Sequence, residues 1–314
     1  MNSVRGLKAD CPEKTVSPPV ARTVCAVVVA FFPDLDFEEH LRILLPQVGA
    51  LVVVDNTPEL KRERHIAVSV EEEKQIRIIE NRSNVGVASA LNQGLEQALE
   101  WDFAWMLALD QDSYCLSDMV QTLANVYAAC ELKPVVIGGN YLDPRNNRTK
   151  IPASAAGGFL EQKTVITSGS LIDTVFARAI SGFREDFFID QLDHEFCLRA
   201  RSRGGFVVIS RKPVMKHSVG ETGGAWFPFL GHLPNHPPLR KYYIARNSLV
   251  TIAEYWRLEP DWCLRRLIRL LMGAVSMFLL EKHGYSKLRA FACGVTDAMH
   301  RRMGPCQRKW LCDQ

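Results

Sequence analysis

Phe103-Ala104-Trp105-Met106-Leu107-Ala108-Leu109-Asp110-Gln111-Asp112 is an apolar run that stops on two carboxylates one residue apart. It has the length of a strand and lacks the alternation of a half-exposed one, which predicts a strand covered on both faces with a polar end. Immediately before it, Val87, Leu91, Leu95 and Leu99 recur four apart and mark a helix over residues 87–100. Earlier come Val24-Cys25-Ala26-Val27-Val28-Val29-Ala30-Phe31, closed by Phe32-Pro33, and Ala50-Leu51-Val52-Val53-Val54, ending on Asp55-Asn56-Thr57-Pro58. Residues 37–45 between them have helical spacing, and a short strand at 76–79 leads into a turn at 81–86. Strand and helix thus alternate, which predicts an α/β fold with a mostly parallel sheet flanked by helices. Such sheets bind ligands at their carboxyl edge. Asp55, the 84–86 turn and Asp110-Gln111-Asp112 each follow a predicted strand, so they are expected to converge there.

Beyond residue 112 the pattern is less regular. Thr167-Ser168-Gly169-Ser170 lies in the middle of the chain, followed by Phe188-Ile189-Asp190-Gln191-Leu192-Asp193-His194-Glu195 ahead of a helix. Residues 206–209 read as a late strand before His217, and residues 220–238, rich in Gly, Pro and His, as a long loop. After Trp256 the pattern becomes helical. Residues 267–280 are apolar apart from Arg269 and Ser276, a stretch too short to span a bilayer. The expected organisation is a tail at 1–22, a catalytic domain at 23–255 and a C-terminal helical segment at 256–314.

With 314 residues, 47% hydrophobic and 23% charged, the chain can bury a sizeable core. A formal net charge of +3 is too small to argue for a nucleic-acid partner. Nine cysteines without a CxxC pair fit reduced thiols rather than a disulfide framework. The first twenty residues lack the apolar core of a secretory signal, so a cytoplasmic location is expected, at most peripheral to a membrane.

Two carboxylates at a strand end suit a hard divalent cation, Mg²⁺ or Mn²⁺, which in turn bridges diphosphates. Asp110 and Asp112 fit that role, and His217 after the late strand can add a nitrogen. A polar turn and a surface histidine are the ordinary alternatives. Asp190, Asp193 and Glu195 place three carboxylates within six residues. Glu195 suits a helix macrodipole, whereas Asp193, with Asp190 close behind, suits a general base that takes a proton from an attacking hydroxyl. Asp55 can accept from a base imide, and Asn84-Val85-Gly86 permits close backbone approach to ribose or diphosphate. No Gly-rich phosphate loop is present, which argues against kinases, dehydrogenases and nucleotidyltransferases.

Together these segments resemble the family 2 inverting glycosyltransferases of the GT-A fold, and within them the bacterial rhamnosyltransferases, including those of rhamnolipid synthesis. The matching stretches are Val53-Val54-Asp55-Asn56, Asn84-Val85-Gly86-Val87-Ala88 with Leu91-Asn92-Gln93-Gly94, Leu109-Asp110-Gln111-Asp112-Ser113, Phe188-Ile189-Asp190 with Asp193 and Glu195, His217-Ser218-Val219-Gly220, and residues 235–247. The stretch at 239–247 is what favours rhamnose.

The resemblance implies a dTDP-L-rhamnose donor and a glycolipid acceptor, mono-rhamnolipid, with a polyprenyl-linked saccharide as the alternative acceptor. It also implies that Asp55 recognises thymine, that Asp112 and His217 bind the metal, and that Asp110 holds the ribose or a metal-bound water, with Gln111 in the same nucleotide-sugar set. Asp193 falls at the catalytic-base position, although Leu192 stands where the family commonly has Glu. Ser168 and Gly169 would line the sugar pocket and Arg246 would meet the diphosphate. The C-terminal helix, with Leu267, Leu270, Leu271, Ala274, Phe278 and Leu280 bordered by Arg265, Arg266, Arg269 and Lys282, suits either a membrane interface or packing on protein.

Overall fold

The computed structural model describes residues 17–61, 66, 75–154, 156–217, 225–227, 231–233, 235–281 and 283–312. Its contacts divide the chain into two compact units. One comprises Met1–Phe183 and Phe196–His217, the other Arg184–Glu195 and Ser218–Gln314.

In chain order, the first unit begins with β1 (Val24–Ala30), α1 (Phe37–Leu44), β2 (Ala50–Asp55), β3 (Gln75–Glu80), α2 (Val87–Glu100) and β4 (Trp105–Asp110). It continues with β5 (Tyr114–Cys115), α3 (Met119–Ala129), β6 (Val136–Asp143), β7 (Arg148–Thr149), β8 (Phe159–Glu161), β9 (Ser170–Asp173) and α4 (Thr174–Ala179). The helix α5 (Leu192–Ser202), which belongs to this unit only from Phe196 onward, then leads to β10 (Val207–Lys216). The sheet runs β3-β2-β1-β4-β9-β6-β10-β5, with β7 against β6 and β8 against β10.

Every residue of β1 is buried, which explains why its sequence is uniformly apolar instead of alternating. The same holds for β2. The buried face of α2 is Ala88, Leu91, Leu95 and Ala98, so the four-residue spacing drifts off the core at both ends, Val87 and Leu99 being only half-buried. Gly94 on that helix lies so close to β1 that an added Cβ would overlap the Val27 side chain.

The first four strands are parallel, as the alternation predicts. The second half of the sheet differs. β9 enters antiparallel to both β4 and β6, because no helix separates β6 from β9 and a parallel return would need such a crossover. The late strand is also longer than 206–209. It continues to Lys216 through a register irregularity between Ile209 and Met215, pairing with β6 on both sides of it. Arg211, Lys212 and Pro213 break the apolar run there, so the continuation is hidden from a hydrophobicity pattern.

The second unit contains β11 (Ala225–Phe227), β12 (Gly231–Leu233), α6 (Pro238–Tyr255), α7 (Pro260–Leu279) and α8 (Gly284–Met299). The described part of the expected 220–238 loop comprises the antiparallel pair β11-β12 and residues 235–238, where α6 begins, and residues 1–16 of the expected tail lie outside the described residues. Tyr242 and Tyr243 of α6, Ala290 of α8 and Leu311 form one core cluster of this unit. At Gly294 a Cβ would overlap the Tyr242 carbonyl, so α6 and α8 pack backbone to backbone. Among the described residues no helix is long and apolar enough to cross a membrane.

Candidate active site

Three strand ends define the carboxyl edge of the first unit. Ala30 of β1 is in register with Asp55 on one side, and Val29 with Asp110 on the other. With strands about 4.8 Å apart, the backbones of Asp55 and Asp110 stand about 10 Å from each other across β1. His217 reaches the same unit's edge from β10, and its backbone N–H still donates to Leu142 of β6 at 3.1 Å.

Asp110, Asp112 and His217 each present one ligand atom, all within 4.8 Å of one another. Ligand atoms sharing one small divalent ion at about 2.1 Å lie about 3–4 Å apart, so these three need only a slight closing to hold one. Two carboxylates and an imidazole are donors that Mg²⁺ or Mn²⁺ accepts. Asp112 is the open side of the trio, with 58% of its side chain exposed, while His217 is nearly buried and its Nδ1 lies 3.6 Å from Asp112 Oδ1.

A ring of second contacts fixes the trio. Ser113 Oγ hydrogen-bonds Nδ1 of His217 at 3.1 Å and Ser168 Oγ at 2.5 Å. The Asp110 backbone N–H donates to Ser168 Oγ at 3.1 Å. Tyr141 sets its ring edge-to-face against His217, centroids 5.6 Å apart, and its burial pushes the phenol up to about 12, so it stays protonated at any physiological pH. Nearby, the Arg145 side chain bonded to Asp143 holds that carboxyl below its ordinary range, with His217 contributing less.

Ser113 and Tyr141 had no assigned role in the sequence reading. The only signal for Ser113 was adjacency to the triplet, and none exists for Tyr141. Ser168, expected to line a sugar pocket, is buried and braces Asp110 and Ser113 instead. Gly169 turns the chain at φ +78, donates its N–H to Ala108 at 2.8 Å, and leaves no room for a Cβ beside Met215. Gln111 points its side-chain carbonyl at the Phe31 N–H, 2.6 Å away, and so ties β4 to the end of β1.

On the Asp55 side the geometry is a network of amides. Asp55 is buried and accepts from the Thr57 N–H at 2.8 Å. Asn56 donates to the Gly86 carbonyl at 3.0 Å and accepts from Asn81, which also pairs with Gln93. Asn84 accepts from the Gly86 N–H at 2.9 Å, and Gly86 enters α2 at φ +87, a conformation only glycine adopts without strain. Asp55, Asn84 and Gly86 are therefore connected through one braced turn.

In the second unit, Asp190 forms a fork with Arg240, at 2.6 and 3.2 Å. Asp193 is half-buried on the first turn of α5 and accepts from the His194 N–H at 2.8 Å. Glu195 accepts from Tyr255 at 2.9 Å. Arg246 departs from its expected role. It has no exposed surface, and its guanidinium donates to the carbonyls of Gly304, Asp186 and Phe187 and to the Asn247 side chain. A guanidinium spent on main-chain oxygens in a core cannot also meet a diphosphate.

Residues 48–190 match the sequence model of the family described as Glycosyl transferase family 2. The fold neighbours agree. S. aureus TarS, residues 1–349, aligns with a TM-score of 0.56 at 13% identity, covering 89% of this chain and 82% of that one. GalNAc-T7, solved with UDP, GalNAc and Mn²⁺, aligns with a TM-score of 0.51 at 11% identity over 89% of this chain and 57% of its own. The chain is a glycosyltransferase of the GT-A fold. It is also similar to the dTDP-rhamnosyl transferase RfbF of Shigella flexneri, 24% identical over 247 residues, 73% of this chain and 79% of RfbF. For this glycosyltransferase, the Asp110, Asp112 and His217 trio occupies the strand-end position at which the fold class binds its ligands.

Proposed function

We propose that this glycosyltransferase moves L-rhamnose from dTDP-L-rhamnose to a hydroxyl of a glycolipid acceptor, mono-rhamnolipid, with inversion at the anomeric carbon. The observation that carries the proposal is the trio Asp110, Asp112 and His217 at the carboxyl edge that also holds Asp55. The likeness to RfbF supports dTDP-rhamnose as donor.

Asp55 accepts the imide N–H of thymine, and the backbone at Asn84 and Gly86 approaches the nucleotide closely. Asp112, His217 and Asp110 would hold a divalent cation, which when bound offsets the charge that develops on the departing diphosphate. Asp193 takes the proton of the acceptor hydroxyl as that oxygen forms its bond to the anomeric carbon and the bond to dTDP breaks. Asp193 is favoured over Asp190 because the Asp190 carboxylate is already taken up by its fork with Arg240, which an acceptor hydroxyl would have to displace.

An amphiphilic acceptor gives the C-terminal helices a part. The exposed apolar positions of α7 are Leu264, Ile268, Leu271, Val275 and Phe278, followed by Leu279 and Leu280. This face is rotated from the expected one, since Leu270 is buried. No charged residue follows Arg269 on α7. The proposal is a peripheral contact with the lipid phase through this face.

The experiment is a donor-by-acceptor assay on the purified chain. dTDP-rhamnose, UDP-GlcNAc and dTDP-glucose are each offered with mono-rhamnolipid and with a polyprenyl-linked saccharide, and released dTDP or UDP is measured. Turnover with dTDP-rhamnose and mono-rhamnolipid is expected. Turnover only with a UDP-sugar would overturn the donor, and turnover only with the polyprenyl saccharide would overturn the acceptor.

A further inference from the structure

We infer that Asn247, assisted by Arg246, is a positioning residue that sets the backbone leading into Asp193. The inference rests on the reading of Asp193 as the base.

Phe188, Asp190 and Gln191 have φ of +65, +65 and +67. Three left-handed residues within four, none of them glycine, is a conformation that L side chains avoid and that persists only where its surroundings over-determine it. The surroundings come from one face of α6. Asn247, fully buried, donates its side-chain amide to the carbonyls of Phe187, Ile189 and Asp190, each at 2.9 Å. Arg246 holds the carbonyls of Asp186 and Phe187 at 3.1 and 3.2 Å. Tyr243 stacks on Phe188 with centroids 5.4 Å apart, and Arg240 grips the Asp190 carboxylate. Positions 240, 243, 246 and 247 follow the three- and four-residue spacing of a single helix face, so the whole grip moves as one rigid element.

The turn ends where α5 begins, and Asp193 is the second residue of α5. Its backbone direction therefore sets where the Asp193 carboxylate stands. A loop serving only as a connection would leave its carbonyls to water. Here a buried amide is devoted to three of them, and removing it takes a donor from each, leaving Phe187 to Arg246 and the Ile189 N–H while the strained turn is free to relax.

The test uses the full chain and measures kcat, donor KM, dTDP affinity and melting temperature for Asn247→Ala, Gln191→Gly and the double variant. Glycine takes a positive φ without strain, so Gln191→Gly reduces the need for the grip. Asn247→Ala is expected to lower kcat about 10²-fold, the scale of a misplacement of about 1 Å, with donor KM and dTDP affinity within about twofold. Adding Gln191→Gly is expected to return about tenfold of that loss. Unchanged kcat in folded Asn247→Ala would overturn the inference. So would a loss that Gln191→Gly fails to relieve, or one that tracks melting temperature and dTDP affinity together. Should the alanine variant not fold, Asn247→Ser, which keeps one donor, is held to the same outcomes. Asp193→Asn separates the two levels. If it turns over normally, the base reading itself falls; if it is inactive while Asn247→Ala is fully active, only the positioning role falls.

Discussion

Asp55 and Asp110 end the two strands that flank β1, in register with Ala30 and Val29, so that two carboxylates 55 positions apart in the chain share one sheet edge. The register of three parallel strands builds this relationship, because a slip of one residue would move every side chain to the opposite face of the sheet.

Ser113 tests how much the trio depends on its bracing. It is the link common to His217 and Ser168, and loss of such an outer partner typically costs about 10–100-fold in metal affinity or activity. Ser113→Ala is expected to raise the Mn²⁺ concentration for half-maximal turnover by that factor while leaving dTDP affinity without metal unchanged. An unaltered metal dependence would mean that His217 is oriented by Tyr141 and its backbone alone.

Gly94→Ala probes the packing that places β1. The added methyl meets Val27 on β1, an inner strand of the sheet, and overpacking of this kind costs about 1–3 kcal/mol. Urea unfolding should show that loss. A variant as stable as the parent would show that α2 shifts without penalty.

His236 predicts an acid limb of stability. Burial is the main cause that lowers its pKa to about 4, with Arg240 and Lys241 adding to the effect and Asp190 and Glu281 opposing it. The unfolded histidine, near 6.5, binds its proton first, so between about pH 6.5 and 4 the unfolded state holds more protons. Stability from this group is complete above 6.5 and is lost as pH falls through that window. Melting curves of His236→Gln should be flatter over that range than those of the parent, and equal slopes would exclude the histidine as the cause.

The α7 face predicts sedimentation with anionic liposomes. Phe278 is 74% exposed on that face, and Phe278→Glu is expected to leave the chain in the supernatant with its melting temperature unchanged. Parent protein that remains wholly in the supernatant would remove the membrane contact.

Much of this was legible in the sequence because burial writes itself directly into composition. Strands covered on both faces read as apolar runs, and the polar residues that end them mark the edge, which is how Asp55 and the 110–112 triplet were placed. What stayed hidden depended on tertiary pairing. The antiparallel entry of β9 leaves no periodicity, and β10 passes through Arg211, Lys212 and Pro213 by an irregularity in its pairing with β6. Arg246 was misjudged for a related reason. A basic residue near a motif suggests a phosphate ligand, but only the fold reveals that its partners are the carbonyls at 186, 187 and 304. Ser168 and Gln111 also brace the edge through hydrogen bonds that the sequence does not show, since a side chain's direction at a strand end is set by its neighbours.

The central claim is that Asp112 is the metal-holding carboxylate of a sugar transferase. Its most direct measurement is turnover of Asp112→Ala with dTDP-rhamnose and mono-rhamnolipid across a titration of Mn²⁺ and Mg²⁺, with circular dichroism as the control for folding. Loss of more than about 10²-fold, with the fold intact and no recovery at high metal, is the predicted result. Parental turnover with parental metal dependence in the folded variant would contradict it.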